Sequence, residues 1–556
     1  MSRVFGLLFC LLSVPALAGN TLLFNATIHT VDPKNPEASA LVFSDEGVIV
    51  AVGDQKELSE EYADATRHDA EGHTVVPGLI DAHGHLMNVD PGEFGLGQLL
   101  VQTSLIGTPS IGRIIEQLKQ DASDLPPDAW LVGRGWDQND WPEQAFPTRS
   151  DLDEAFPDRP VWLIRVDGHA GWANTAAMER AGLLDEDVSA PEGGKIVRDE
   201  QGAPTGVLVD AAMELMESHV TSLPVEVQAR ALREALERTA SLGLTGVHEA
   251  GTSLAAFHLY QTAIDLDSFP IRLYAMADGE GPMLDTLCER GPVIEYGDRL
   301  VARSVKFYMD GALGSRGAAL LEPYSDDPDN RGLLQMSPDR LRQAATEAME
   351  CGLQVNTHAI GDRGNREVLD AYAEAMDATG GGPGRHRVEH AQVVALEDIP
   401  RFADLGLIAA MQPTHATSDM PWAEERLGPE RIKGAYAWQR FLEAGVPLAL
   451  GSDFPVEQVD PLLGFHAAVT RQDPEGRPEG GWYPDQRLSR EEALRGFTLD
   501  AARAAFMEDK VGSLEPGKRA DFVILSDDIM SIPAPEILET RVLATYLDGR
   551  PVYRAP

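Results

Sequence analysis

Cysteine is scarce in this chain: three residues in 556, one of them, Cys10, inside the first apolar run. An exported protein of this size needs no disulfide framework. Spacing alone does not pair Cys288 with Cys351, and both are expected as free, buried thiols. Basic charge is scarce as well. Lys and Arg number 46 against 89 Asp and Glu, a formal net charge of −43. A surface of that sign repels phosphate backbones and excludes nucleic acid as a partner. The acids are dispersed, with no acidic tail, so they read as a solvated surface. After the N-terminus no apolar run is long enough to span a bilayer, and no repeat or low-complexity tract stands out.

What is present begins with a leader. Arg3, an apolar run at 4–17 and Ala16-Leu17-Ala18 before Gly19 have the order of a signal peptide over residues 1–18. The chain is therefore expected to be exported, periplasmic or secreted, with no stable membrane insertion once the leader is removed. Short β-like runs follow at 21–28, 40–52 and 67–76, broken by Asp32-Pro33 and Gly53-Asp54. The same texture returns at 520–526 and 542–547, with Asp548-Gly549 as a turn. Two β-rich ends predict one small β-sandwich, built from 19–76 and 508–556.

Between them, apolar runs alternate with helical patterns. The runs lie at 75–79, 245–248, 272–276, 304–308, 354–358, 387–390, 408–411 and 447–450, with helix-like stretches such as 225–242, 338–351 and 362–379. Strand-then-helix alternation argues for a parallel sheet, and strands buried on both faces read as continuous apolar segments. Eight such runs predict an α/β fold, a (β/α)₈ barrel over 77–507. The gap after the first run exceeds one crossover and predicts an inserted subdomain at about 90–240, placed over the barrel mouth.

In a barrel of this kind the chemistry sits at the C-terminal strand ends. The first run ends in Asp81-Ala82-His83-Gly84-His85, and alternate residues of a strand point the same way, so His83 and His85 share a direction. Lys306 and Asp310 follow in the fourth run, His358 closes the fifth, Glu389-His390 the sixth and Gly451-Ser452-Asp453 the eighth. Each is weak alone: an HxH pair recurs by chance, a strand-end His is often a packing residue, and an Asp after Gly-Ser often caps a turn. Together they close five runs and converge on one mouth.

These residues lie in segments that resemble the amidohydrolase superfamily, and within it the YtcJ-like branch that includes an N-substituted formamide deformylase. The segments are VVPGLIDAHGHL (75–86), SVKFYMDGALGSRGAAL (304–320), NTHAIGD (356–362), HRVEHAQ (386–392), LGSDFPV (450–456) and VGSLEPGKRADFVIL (511–525), with RVDGHAGWANTAAM (165–178) matching the branch's insert. The resemblance implies that His83, His85 and Asp453 hold one divalent metal and that His358 and His390 hold a second. Lys306, carboxylated, would bridge the two; without that modification a single-metal site is the fallback. His and oxygen ligands suit zinc, with manganese, iron or cobalt as alternatives. Asp453 would also move the proton from water to the leaving amine.

His169, Asp310, Arg316 and Trp172 are candidates for substrate binding, Asp310 and Arg316 alternatively for orienting ligands, and at most two of Trp136, Trp141, Trp172 and Trp422 are expected to wall an apolar pocket. His248-Glu249 is a candidate to orient ligands. The expected activity is hydrolysis of a non-peptide, amide-type C–N bond in a small molecule. Esters, cyclic amides or aminated rings are alternatives for the same site, and a non-catalytic metal-binding protein is a further one. A homodimer is compatible by analogy with the superfamily.

Overall fold

The computed structural model describes residues 19–86, 103–124, 129–185, 187–191, 193–220 and 225–556; the expected leader lies outside them. The centre is a nearly closed barrel of eight parallel strands. They are β1 (Leu79–Gly84), β2 (Leu244–Thr252), β3 (Arg272–Asp278), β4 (Leu300–Tyr308), β5 (Gln354–Ala359), β6 (Arg387–His390), β7 (Ile408–Met411) and β8 (Leu448–Leu450), neighbours in that order. The apolar runs from the second to the eighth fall on β2 to β8. The first needs correction. Residues 75–79 straddle two sheets, because Thr74–Pro77 belongs to the terminal sheet and the barrel strand starts only at Leu79, after the Pro77-Gly78 joint.

The seam between β1 and β8 is closed by the segment after β8. The Asp453 N–H donates to the His83 carbonyl at 2.7 Å and the His85 N–H to the Phe454 carbonyl at 2.9 Å. The buried Asp81 carboxylate accepts from Ser452 Oγ at 2.6 Å and from the His83 N–H at 3.1 Å. Gly451 permits this approach: a Cβ there would stand 2.5 Å from Asp81 Oδ1.

Helices pack outside the strands. Pro338–Glu350 starts where Ser337 accepts from the Arg340 N–H, and it buries Leu341, Ala344, Ala345, Ala348 and Met349 on one face. Asp362–Thr379 stops at Gly380, whose φ of +75° is a left-handed cap that glycine takes without a steric penalty. The cysteine expectation is overturned here. Cys288, in helix Pro282–Arg290 after β3, and Cys351, the C-cap of the helix after β4, form a disulfide. These outer helices follow adjacent strands, so residues 63 apart in sequence meet with Cα atoms 5.0 Å apart, a proximity no spacing rule reveals.

Both chain ends share one eight-stranded sheet, joined by antiparallel pairing of Thr74–Pro77 with Phe522–Leu525. The run expected at 40–52 is a hairpin of Glu37–Ser44 and Ile49–Gly53. At the N-terminal end of the barrel, buried Arg272 pairs with Asp521 at 2.7 Å and Asp548 at 2.6 Å, and Arg299 with Asp548 at 2.7 Å. A third sheet of six strands runs, in spatial order, Gly194–Arg198, Pro204–Asp210, Ala170–Ala173, Val161–Arg165, Leu131–Trp136 and Thr103–Ser104. Trp136, Trp141 and Trp172 lie in its core with Leu163 and Val207.

Candidate metal centre

Residues from five barrel strands or the turns after them meet at the C-terminal mouth. His83 and His85 leave β1 on the same side. His85 Nε2 lies 3.3 Å and His83 Nε2 3.6 Å from Asp453 Oδ1. The His390 ring stands 4.7 Å from that of His83 and 4.6 Å from that of His358. Lys306 reaches from β4 to place Nζ 3.3 Å from His83 Nε2. His390 and Asp453 both have left-handed φ, +72° and +60°, and backbone strain of this sort collects at functional sites.

His415, which closes no apolar run, is added to the cluster by the structure. It sits in the short helix Pro413–Asp419 after β7, with Nε2 3.6 Å from Asp453 Oδ2 and no hydrogen-bond partner, although buried. The donor atoms of His83, His85 and Asp453 lie within 4.8 Å of one another, as do those of His390, His415 and Asp453. The seventh run had no titratable residue at its end. Its signal lay in the turn beyond, Gln412-Pro413-Thr414-His415.

Buried partners fix how the imidazoles face. Glu389 accepts from His83 Nδ1 and is itself paired with Arg387, Nε to Oε1 at 2.7 Å. Gln412 Oε1 accepts from His390 Nδ1 at 2.8 Å. With each Nδ1–H so used, each Nε2 offers a lone pair to the centre. Burial, reinforced by neighbouring charges, holds His83, His358 and His390 well below the ordinary imidazole value, so they are neutral. Burial also lowers Lys306, against the pull of Glu389 and Asp453. Burial works against ionising Asp453, but the bond from His85 and the charges of its neighbours outweigh it and keep the carboxylate below its usual range. Neutral imidazoles beside an ionised carboxylate are the protonation states a metal requires of its ligands.

His358, His390, His415 and Asp453 open onto a cavity of about 590 Å³ between the mouth and the segment 103–169. His169 lines it, with its ring 5.0 Å from that of His358 and Nδ1 on Asp210 at 2.6 Å. Three expected substrate contacts lie elsewhere. Asp310 does not line the cavity: it is buried and accepts from the backbone N–H groups of Ala319, Ile360 and Gly361, at 2.8, 2.9 and 2.8 Å, with Oδ1 3.8 Å from His358 Nε2. Arg316 pairs with Asp326 at 2.7 Å. Trp172 is fully buried, donating to the Thr148 carbonyl. Trp136 and Trp141 are buried likewise, and of the four tryptophans only Trp422 lines the cavity. His248 Nδ1 meets Arg387 Nη1 at 3.0 Å, behind Glu389.

Fold and site together define a barrel hydrolase. The chain belongs to the amidohydrolase family, whose model matches residues 68–553. It is 33% identical to the protein YtcJ of Bacillus subtilis (strain 168), over 92% of this chain and 95% of that one. It is 30% identical to the N-substituted formamide deformylase of Arthrobacter pascens, over 95% and 97%. The crystal structure of an uncharacterized metal-dependent hydrolase from Pyrococcus horikoshii OT3 superposes with a TM-score of 0.73 at 30% identity, covering 93% of this chain and 99% of the other.

Proposed function

We propose that the chain is a metal-dependent hydrolase that cleaves a non-peptide, amide-type C–N bond of a small molecule. The observation that carries this is the convergence of His83, His85, His390 and His415 on the Asp453 carboxylate, beside a cavity of about 590 Å³. The deformylase among its relatives supports the choice of bond. We assign His83, His85 and Asp453 to one divalent cation, and His358 and His390, with Lys306 between, to a second. The buried, unpartnered Nε2 of His415 fits a cation at the same centre. Zinc suits this donor set best, with manganese, iron or cobalt as alternatives. Lys306 has no carboxylate within 4.0 Å among the described residues. As a neutral amine it adds to carbon dioxide, releases one proton and becomes an anionic carbamate.

A bound divalent cation supplies acidification of water toward neutral pH and polarisation of a carbonyl. The chain's residues do the rest. Asp453, steadied by His85, accepts the proton of the attacking water on its carboxylate and returns it to the departing nitrogen. Glu389 and Gln412 keep His83 and His390 in one tautomer throughout. The region at about 90–240 is read as an inserted subdomain, of which 103–169 contributes to the cavity wall; the terminal sheet is read as the sandwich. Export remains the proposed localisation, and the Cys288–Cys351 disulfide fits an oxidising compartment.

The experiment is hydrolysis of a panel of N-formyl and N-acyl amines beside esters, cyclic amides and aminated rings. Asp453→Asn is expected to lower kcat by at least about 10³-fold, in the range general acid–base catalysis commands, while the fold is kept. Near-native turnover by that variant, or turnover of esters alone, contradicts the assignment.

A further inference from the structure

Three arginines reach the cavity wall: Arg134, Arg165 and Arg238. Arg165 is fully engaged, paired with Asp137 and Asp167, with Nε on Gln138 Oε1 at 2.8 Å. Arg238, also without a carboxylate within 4.0 Å among the described residues and with Nε buried and unpartnered, stands within electrostatic reach of Asp460. Arg134 stands over the Gly168-His169 turn that faces His358. Among the described residues no carboxylate lies within 4.0 Å of its guanidinium. Of its five N–H donors, one bonds the Val166 carbonyl, from Nη2 at 3.3 Å, and Nε is buried with no partner.

The local fold makes room for this group. Arg134 lies on Leu131–Trp136, paired in register with Ile164 of the next strand. Its guanidinium lies over Gly168, where a Cβ would stand 3.1 Å from Nη2; the same residue has φ of +77°, which glycine adopts freely. Arg134 lines the same cavity as His358, His390 and Asp453, so the guanidinium lies on the side of the reaction centre. This half-buried guanidinium has donors free on the cavity side, and its planar fork matches a carboxylate with two parallel hydrogen bonds.

The acids around it do not bar an anion. Arg165 neutralises Asp137 and Asp167. Burial pushes Asp419 up to about 7, about half protonated at neutral pH, and Glu457 up to about 8; Asp453, Asp167 and Glu217, the carboxylates that act on Arg134 itself, all lie beyond 4.0 Å, and burial raises Glu217.

We propose that Arg134 binds a carboxylate of the substrate, so that the enzyme acts on amides that carry a carboxylate, N-acylated amino acids being the simplest class. This deepens the hydrolase assignment and rests on it for the reaction, though the anion site stands on its own geometry.

Two measurements separate the two claims. The first compares kcat/KM for N-acetylphenylalanine and its neutral carboxamide. The wild type is expected to prefer the acid by roughly 10- to 100-fold, the span of a hydrogen bond to a charged group. Arg134→Ala is expected to collapse that preference, and Arg134→Lys to recover part of it. A preference unchanged in Arg134→Ala, or a wild type that favours the carboxamide, overturns the proposal. The second is calorimetric binding of 3-phenylpropanoate, which needs no turnover. Binding lost in Arg134→Ala, with no amide hydrolysed by the wild type, sinks the hydrolase assignment and leaves the anion site standing. Binding of equal strength in both proteins sinks the anion site, whatever the turnover.

Discussion

At the N-terminal end of the barrel, Arg272 has a side chain 3% exposed and two carboxylates on it, Asp521 at 2.7 Å and Asp548 at 2.6 Å. At the C-terminal end, His83, His358 and His390 are as deeply buried, yet Lys306 has no acid within 4.0 Å among the described residues and His415 Nε2 has no hydrogen-bond partner. Both clusters hold residues distant in sequence. The first is complete: attraction to the acids outweighs burial and raises Arg272 above its ordinary value. The second is organised differently: burial lowers His83, His358, His390 and Lys306, and the imidazoles gather around the one carboxylate of Asp453. Buried charge that finds its opposite within the chain fastens one sheet to another. Buried donors that converge without a counterpart are arranged for something the chain does not itself supply, and imidazoles around a carboxylate call for a cation.

The contrast is sharpened by removing one residue from each end. Arg272→Met leaves Asp521 and Asp548 buried with less compensation and is expected to cost about 3–5 kcal/mol of stability, the usual result of breaking a buried pair from one side. Denaturant unfolding measures this, and kcat per folded molecule should stay as it was. A large loss of kcat without loss of stability would mean the two ends do not divide the labour. Glu389→Gln acts on the other end. It weakens the acceptor behind His83 and should reduce metal affinity by about 10- to 100-fold, as for other partners of metal-bound histidines. Chelator competition reads this out; unaltered affinity would remove His83 from the centre.

The smallest effect concerns pH. Burial raises Glu457 on the cavity wall from its ordinary value of 4.5 to about 8. The folded chain therefore holds a proton that the unfolded chain releases, and stability falls as pH rises from about 4 to about 8. Glu457→Gln should remove that part of the slope and gain about 1 kcal/mol at pH 8, a figure discounted because the side chain faces the cavity. A slope identical in the variant shows that Glu457 ionises freely.

Much of this was legible before any coordinates. Seven of the eight runs fall on barrel strands, because strands covered on both faces must be apolar throughout. His83, His85, Lys306, His358, His390 and Asp453 all reach the mouth, because each closes or follows such a run. His415 escaped because it stands on a short helix one turn past β7, where strand periodicity no longer applies. Of the four tryptophans, Trp422 alone lines the cavity, within the expectation of at most two, since residue type says nothing about which way a ring faces in the six-stranded sheet. For Asp310, read as orienting ligands or binding substrate, sequence neighbours do not show that three backbone N–H groups from other loops occupy its oxygens beside His358. The disulfide depends on two helices lying side by side, which sequence distance hides.

The most direct test is the metal content of the full-length protein, purified with and without added zinc, beside that of the His83→Ala/His85→Ala variant. The wild type is expected to retain one or two tightly held divalent ions per chain, and the variant to lose at least one while unfolding at a similar denaturant concentration. A wild type that is folded but holds no divalent metal under either condition, or a variant that keeps the full complement, contradicts a cation centre at the barrel mouth.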